Sequence, residues 1–240
     1  PYSLVGSEMC IRDRANCRHL RLILFVAMVA NAIITGGRAM GFDISAEQAR
    51  LLARILSELA RWNRRINLTA IRDVDEMVAG HILDSLAVRP YLQGPRVLDI
   101  GTGAGFPGLP LAIVEPDLEF VLLDSNGKKI SFVRHMIGEL GLTNVEAVKS
   151  RAEDYQPDAR FDTVIARALA SMPRLVELSS HLVGEDGQLL ALKGRHPADE
   201  LDAIESQPGW EHSVTALTVP GLESHDRHLV TLRRFKAETQ

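Results

Sequence analysis

The segment Asp99–Gly108, DIGTGAGFPG, is where this chain concentrates residues that could do chemistry. Glycines at 101, 103 and 105 let a backbone turn sharply and approach a ligand with no side chain in the way. The segment follows the apolar run Val97–Ile100 and opens a helical stretch, so a ligand is expected at the carboxyl end of a strand. Two acids flank the loop. Asp99 ends the strand just before it, and a carboxylate there suits an ammonium group better than a diphosphate. Asp124 ends the next predicted strand, where it can accept hydrogen bonds from ribose hydroxyls. S-adenosylmethionine (SAM) carries an ammonium, a sulfonium and a ribose, so Asp99, Gly101, Gly103, Gly105 and Asp124 read as SAM contacts. A dinucleotide is the alternative, because Gly103–Gly108 also match its fingerprint and Asp124 serves either cofactor. A nicotinamide-dependent oxidoreductase would follow from that alternative, but no catalytic acid for it is evident.

The surrounding pattern supplies the elements that must hold this loop. From Arg96 onward, strands are predicted at 97–100, 120–124, 145–150, 161–167 and 188–194. Helices at 108–114, 128–140, 173–182 and 198–205 separate them, and Gly141 suits a left-handed helix end. Buried apolar strands alternating with helices predict an α/β fold with a mostly parallel, Rossmann-like sheet. Two late strands, 213–219 and His228–Phe235, have no helix between them and predict an antiparallel edge strand. Upstream, Ser45 and Gln48 form a capping box before apolar residues at helical spacing, Leu51, Leu52, Ile55, Leu56, Leu59 and Trp62. A second helix is predicted over Val74–Tyr91, with Met77, Ile82, Leu86 and Val88 inward. These helices precede every strand and form an N-terminal helical cap at 41–94, ahead of a SAM-binding domain at 95–240.

Residues 1–40 read differently. The run Leu20–Thr35 is strongly apolar but short for a membrane span and interrupted by Arg21 and Asn31. With Arg12, Arg14, Arg18 and Arg21 it has the make-up of a signal peptide. The opening SLVGSEMCIRDR instead resembles a translated sequencing adapter, so this stretch is set apart as a non-native or disordered, poorly packed leader, with a start at Met28 or Met40 expected. The only cysteines, Cys10 and Cys17, lie in it and match neither a zinc pattern nor a disulfide framework. The net charge of −4 means that any phosphate-binding surface must be local. Such a surface is offered by Arg50, Arg54, Arg61, Arg64, Arg65 and Arg72, which outnumber Asp43, Glu47, Glu58 and Asp73. Aromatic content of 5% argues against a base-stacking platform.

From Ile44 to Phe235 a series of motifs appears in order: WNxxxNLT (62–69), Arg72-Asp73, HILDS (81–85), DIGTGAGFPGLP (99–110), LLDSxGK (122–128), SRAE (150–153), ARA (166–168), LKG (192–194) and RHLV (227–230). On these the chain resembles the glucose-inhibited division protein B family, the ribosomal RNA small-subunit methyltransferase G enzymes. The resemblance implies a class I SAM-dependent methyltransferase sheet with an N-terminal helical cap, and methylation of guanine N7 in 16S ribosomal RNA. It adds Phe106, Ala152, Glu153 and Arg167 to the expected SAM contacts. Guanine N7 has a free lone pair and no proton, so no general base is needed and catalysis should be positioning and electrostatics. Arg167, His81 and Asn67 are the candidates for groups near the reaction, and Arg64, Arg65, Arg72 and Lys193 for RNA contacts. The plainer readings are a polar interhelical network for His81, Asp84 and Ser85, a loop-orienting role for Asn67, and a strand end in water for Lys193. His81 and Asp84 lack further ligands at metal-binding spacing, so no metal is expected. The resemblance further implies a cytoplasmic monomer, without membrane association, acting on small-subunit ribosomal RNA or a ribosomal particle. A SAM enzyme acting on a small molecule or protein, or an RNA-binding module with a vestigial cofactor site, are the competing readings.

Overall fold

The computed structural model describes the backbone of residues 5–205 and 209–234, and the side chains at 20, 22–204 and 209–234. The side chains of Cys10, Cys17, Arg12, Arg14, Arg18 and Arg21, and the strand end at Phe235, lie outside those described residues. Seven strands form one sheet in the order β3-β2-β1-β4-β5-β7-β6. They are β1 (Arg96–Ile100), β2 (Glu119–Asp124), β3 (Val145–Lys149), β4 (Phe161–Arg167), β5 (Val183–Lys193), β6 (Trp210–Ala216) and β7 (His228–Arg234). β1 to β5 pair in parallel. β7 runs antiparallel to both β5 and β6, so the reversed strand lies one place inside the edge. The β6–β7 connection is the predicted hairpin, but β6 begins at Trp210, three residues before the predicted start.

Alternation along the strands divides the core into two layers. Val97, Leu122 and Ile165 face one side of the sheet, with α5 (Gly108–Val114), α6 (Gly127–Leu140) and the cap. Leu98, Ile100, Leu123 and Val164 face the other, with α7 (Met172–Ser179) and α8 (Ala198–Glu205). The first break in the sheet order, where β2 lies on one side of β1 and β4 on the other, opens a crevice at the strands' carboxyl ends.

The cap is built on α2 (Ala46–Trp62). Its capping box is formed: Gln48 N donates to Ser45 Oγ at 3.1 Å, and Ser45 N to Gln48 Oε1 at 3.0 Å. Leu52, Ile55, Leu56 and Leu59 are fully buried, as the helical spacing predicts. α2 docks on α6 through Trp62, edge-on to Phe132 at 5.5 Å, and through Glu58, which meets His135 at 3.2 Å, and it reaches α5 where Gln48 Nε2 donates to Ile113 O at 3.4 Å. The predicted second helix is one helical run of changing pitch: α3 (Val74–Met77), a π-helical turn (Val78–Leu83), α4 (Asp84–Leu86) and a 3-10 turn (Arg89–Tyr91). Its expected inward residues Met77, Ile82, Leu86 and Val88 are all buried.

The first helix, α1 (Val5–Ala39), departs from expectation in its C-terminal third. Val29 and Ile33, one helical turn apart, are buried in the cap, and Gly36 and Gly37 lie against Leu83 and Ile44. Poor packing therefore does not hold for this part of residues 1–40: its apolar residues recur every turn and find α2. Earlier on the same helix Leu20, Leu22, Ile23, Leu24 and Met28 are exposed. The window Leu22–Ala39 is long and apolar enough to cross a membrane by length and composition, and a packed core helix passes the same test.

Candidate cofactor and substrate site

A cavity of about 670 Å³ occupies the crevice at the carboxyl ends of the parallel strands. The glycine loop forms its floor through Gly101, Thr102, Gly103, Ala104 and Phe106. Gly101, Gly103 and Gly105 have φ of +68°, +62° and +89°, a region L side chains rarely adopt. Gly101 and Gly103 line the cavity, whereas Gly105 turns the chain beneath it.

Asp99 is expected to meet a ligand ammonium, but it lies fully buried under the loop and does not line the cavity. Strand alternation puts it on the same face as Val97, below α5. There its Oδ2 accepts hydrogen bonds from Thr102 Oγ1 at 2.6 Å and Gly108 N at 2.9 Å. It thus ties the end of β1 to the start of α5. Its Oδ1 is buried without a partner, and loss of water pushes the carboxyl up to about 6 despite those two hydrogen bonds and Arg167. Asp124 does line the cavity. Its Oδ2 accepts from Gly103 N at 2.9 Å and its Oδ1 from Asn126 N at 2.7 Å, which joins the ends of β1 and β2. Beyond it, Ser150, Arg151, Ala152 and Glu153 after β3 complete one wall.

The cap supplies the opposite wall. Asn63 is buried at the end of α2 and accepts from Leu68 N and Thr69 N through Oδ1, while its Nδ2 donates to Thr69 O. The loop so folded presents Leu68 and Thr69 to the cavity. Asn67, just before them in the motif, is exposed and does not line the cavity. Asn63, which was not singled out in the sequence, is the one that orders the loop: a buried loop-organiser and an exposed loop residue look alike without coordinates.

His81 and Arg167 meet in this wall. His81 stacks on Phe106 with ring centroids 4.6 Å apart, and its Nε2 lies 2.9 Å from Thr69 Oγ1. Arg167, at the end of β4, sits 5.7 Å from the Phe106 ring centre. One of its nitrogens donates to Gly80 O at 2.9 Å and Asp84 Oδ2 at 3.1 Å. Arg227, just before β7, donates to the other Asp84 oxygen at 3.0 Å. Asp84 is thus a buried carboxylate between two guanidiniums, and it locks the cap to both β4 and β7. The polar network read from His81, Asp84 and Ser85 exists, with Ser85 Oγ donating to His81 O at 2.5 Å.

Lys193 does not reach the cavity. It donates to Ala170 O at 2.9 Å and pairs with Glu200 at 2.7 Å, bracing the loop after β4 against α8. Arg64 and Arg65 are exposed in the turn after α2, and Arg72 is exposed before α3. The cations at the cavity wall are Lys129, Arg151, Arg167 and Arg174. Lys129, Arg151 and Arg174 were not singled out in the sequence, where nothing distinguishes them from solvated charge. Ala168, at φ +50°, and the exposed Leu169 also line it from the loop after β4. Among the described residues, no group of three or more His, Cys, Asp or Glu could hold a metal ion.

Burial, with Arg167 nearby, pushes the His81 imidazole down to about 4, so it is neutral at ordinary pH. Its neutral form suits the folded chain, and that contribution is complete above about 6.5 and lost as pH falls toward 4. Asp99 runs the other way, its contribution being present below about 4 and lost as pH rises through 6. The two slopes oppose each other between these limits. His81→Gln removes the first alone, so relative to the unmodified chain it should gain about 3 kcal/mol of stability as pH drops from 7 to 4. Urea unfolding at both pH values measures this, and a pH-independent difference would show that His81 titrates normally.

Known proteins resemble this chain in both sequence and fold. The family model for rRNA small subunit methyltransferase G matches residues 48–230. A protein of that name from Vibrio atlanticus (strain LGP32) is 48% identical over 195 residues, covering 80% of this chain and 91% of its own. Its counterpart from Aeromonas salmonicida (strain A449) is 48% identical over 198 residues, covering 82% and 94%. Among solved structures, a SAM-dependent methyltransferase from Aquifex aeolicus superposes with a TM-score of 0.51 at 20% identity, covering 67% of this chain and 93% of that one. A precorrin-6y C5,15-methyltransferase from Geobacter metallireducens gives 0.51 at 16%, covering 70% and 91%. At such identities these structures speak for the fold, a class I SAM-dependent methyltransferase sheet.

Proposed function

Since this chain belongs to the rRNA small subunit methyltransferase G family, we propose that it transfers the methyl group of SAM to N7 of a guanine in small-subunit ribosomal RNA. The observation that carries the reading is the cavity itself, where a glycine-floored cofactor cradle shares one space with a wall supplied by the cap. The residues present fit SAM. A Cβ at Gly101 would fall 2.6 Å from Leu169 Cδ1, so the cradle is open only because that residue is glycine. Asp124 offers its carboxylate to the ribose, and Ala152 and Glu153 stand where the adenine edge would lie. Asp99 acts from beneath, where its bonds to Thr102 and Gly108 N hold the loop in shape.

Bound there, SAM supplies a methyl group already activated by its sulfonium, which the N7 lone pair takes in an in-line displacement. No proton leaves N7, so no side chain has to act as a base. The protein's task is to hold the two partners in line and exclude water. Gly101 and Asp124 seat the cofactor, while Arg167, fixed by Gly80 O and Asp84, faces the same space from β4. Lys129, Arg151 and Arg174 stand at the mouth, each within 4 Å of an acid (Asp124, Glu153 and Glu177), and can exchange those partners for the phosphates of a polyanionic substrate. On this reading the protein acts in the cytoplasm as a monomer on ribosomal RNA or an assembling particle. Arg64, Arg65 and Arg72 extend the phosphate-facing surface on the cap.

Labelled SAM and small subunits lacking the modification test this directly, with nuclease digestion and mass spectrometry of the nucleosides. Label should appear in 7-methylguanosine and disappear with Arg167→Ala. Label in another nucleoside, or none at all despite SAM binding, would overturn the assignment.

A further inference from the structure

The loop between β4 and α7 borders the cavity. Ala168 and Leu169 line it, and a Cβ on Gly101 would fall 2.6 Å from Leu169 Cδ1, so this loop comes into contact with the glycine loop. Its shape is not one that its own residues favour. Ala168 has φ of +50°, left-handed backbone that a residue with a Cβ rarely adopts. Such a conformation persists only where the surrounding structure over-determines it.

Two side chains from outside the loop do this. Lys193, at the end of β5, donates through Nζ to Ala170 O at 2.9 Å and to Glu200 Oε2 at 2.7 Å. The same Glu200 oxygen accepts from Met172 N at 2.6 Å. Ser171 precedes α7 without a side-chain capping bond, so the Glu200 carboxylate supplies the negative group at that helix start. The Lys193 side chain is only 15% exposed, which shelters the pair from the water that makes open surface pairs weak. At one end the loop starts from Arg167, held by Gly80 O and Asp84. At the other it runs into Met172, whose side chain is fully buried.

We propose that Lys193 is a positioning residue for methyl transfer: clamped to Glu200, it fixes Ala168 and Leu169 beside the glycine loop and so sets the space in which cofactor and target base must meet. The inference rests on the methyl-transfer reading above and assigns Lys193 no contact with RNA. In-line displacement depends steeply on alignment, since a misplacement of about 1 Å can cost about 100-fold in rate. Without the clamp, a loop with a left-handed alanine would relax toward the backbone its residues prefer, and this side of the cavity would move. A lysine in this place has a rival role, contact with an RNA phosphate. The two roles differ in sign at Glu200. Removing the acid would free the cation for a phosphate and tighten RNA binding, but it would open the clamp and slow transfer.

Labelled SAM and unmodified small subunits give kcat and KM for Lys193→Met, Glu200→Ala and Glu200→Gln. Lys193→Met, which keeps the stem without its donors, should lower kcat by about 10- to 100-fold. KM for the subunits, and the dissociation constant for SAM alone by calorimetry, should stay within threefold. Glu200→Ala should lower kcat to a similar degree and quicken hydrogen exchange of the Met172 amide. Glu200→Gln should keep at least a third of the wild-type rate and protect that amide, because both bonds are made to one carboxylate oxygen and an amide oxygen can accept both. A raised KM with unchanged kcat and a flatter salt dependence in Lys193→Met would make it a phosphate contact and overturn the proposal. A lowered KM in Glu200→Ala, wild-type kcat in Lys193→Met or Glu200→Ala, or equal losses in Glu200→Ala and Glu200→Gln would overturn it as well. The two Glu200 variants carry the test alone should Lys193→Met fold poorly. No label from the unmodified protein would overturn the methyl-transfer reading and the proposal with it, and that outcome is read from the wild type alone.

Discussion

Gly101→Val should weaken SAM binding severely while leaving the chain folded. The residue sits at φ +68°, where a β-branched side chain is a steric outlier costing about 1–3 kcal/mol. It also lines the cavity, and a Cβ there would stand 2.6 Å from Leu169 Cδ1. Leu169 is the exposed end of a flexible side chain and can move aside, but only within the space the cofactor needs. The strain is relieved by deforming the loop, and the loop is the cradle. The dissociation constant for SAM, measured by calorimetry, should rise at least about 100-fold, a loss of roughly 2.7 kcal/mol. Gly141→Ala is the matched control. Gly141 has nearly the same φ, +65°, with nothing within 4 Å, and it ends α6 away from the cavity. It should lose about 1 kcal/mol of stability and no SAM affinity. SAM binding within threefold of wild type in Gly101→Val would mean that the loop is not the cofactor seat.

Asp84→Ala carries the second large effect, on stability. Asp84 is 4% exposed and each of its oxygens accepts from a different arginine. Removing the carboxylate leaves Arg167 and Arg227 facing each other across a hole, partly buried and without their counter-charge. Breaking a buried ion pair from one side costs about 3–5 kcal/mol, because the abandoned charge has given up its water. For a chain of this size that is a fall in melting temperature of about 10 °C. Asp84→Asn, which keeps the volume and one acceptor, should lose less. The same substitution unfastens the cap from β4 and β7, so Arg167 no longer has a fixed place in the cavity wall. A cost below 1 kcal/mol by urea unfolding would mean that both guanidiniums find solvent, and that the cap is held by its apolar contacts alone.

The elements were largely legible from residue order. The limits of β4 and α5 fall where the apolar runs and flanking glycines put them, because those signals are local. The capping box at Ser45 and the left-handed end at Gly141 are equally local and appear as read. Pitch was less legible: Val74–Tyr91 reads as one helix, yet the turn at Val78–Leu83 widens to π geometry in the stretch whose Gly80 carbonyl receives Arg167. Nothing in VAGHIL announces that choice, nor that its Gly80 carbonyl meets an arginine 87 residues away.

By itself, the order of residues determined that this chain folds as an α/β sheet with a helical cap, and that its cofactor loop follows the first strand. Those outcomes depend on hydrophobic period, caps and glycines, which act over a few residues. Tertiary structure decided which polar groups touch the ligand space. Asp99 and Asp124 each end a strand, yet differing packing buries one beneath α5 and leaves the other at the cavity. Asn63 and Asn67 share one motif, yet only Asn63 turns inward to fold the loop. Lys193 reads as a free cation until α8 brings Glu200 to it. Arg151 and Arg174 read as solvated charge until the sheet order sets them around one mouth. The physical reason is common to all of these: a side chain's burial and partners are set by elements far away in sequence, and no local pattern encodes them.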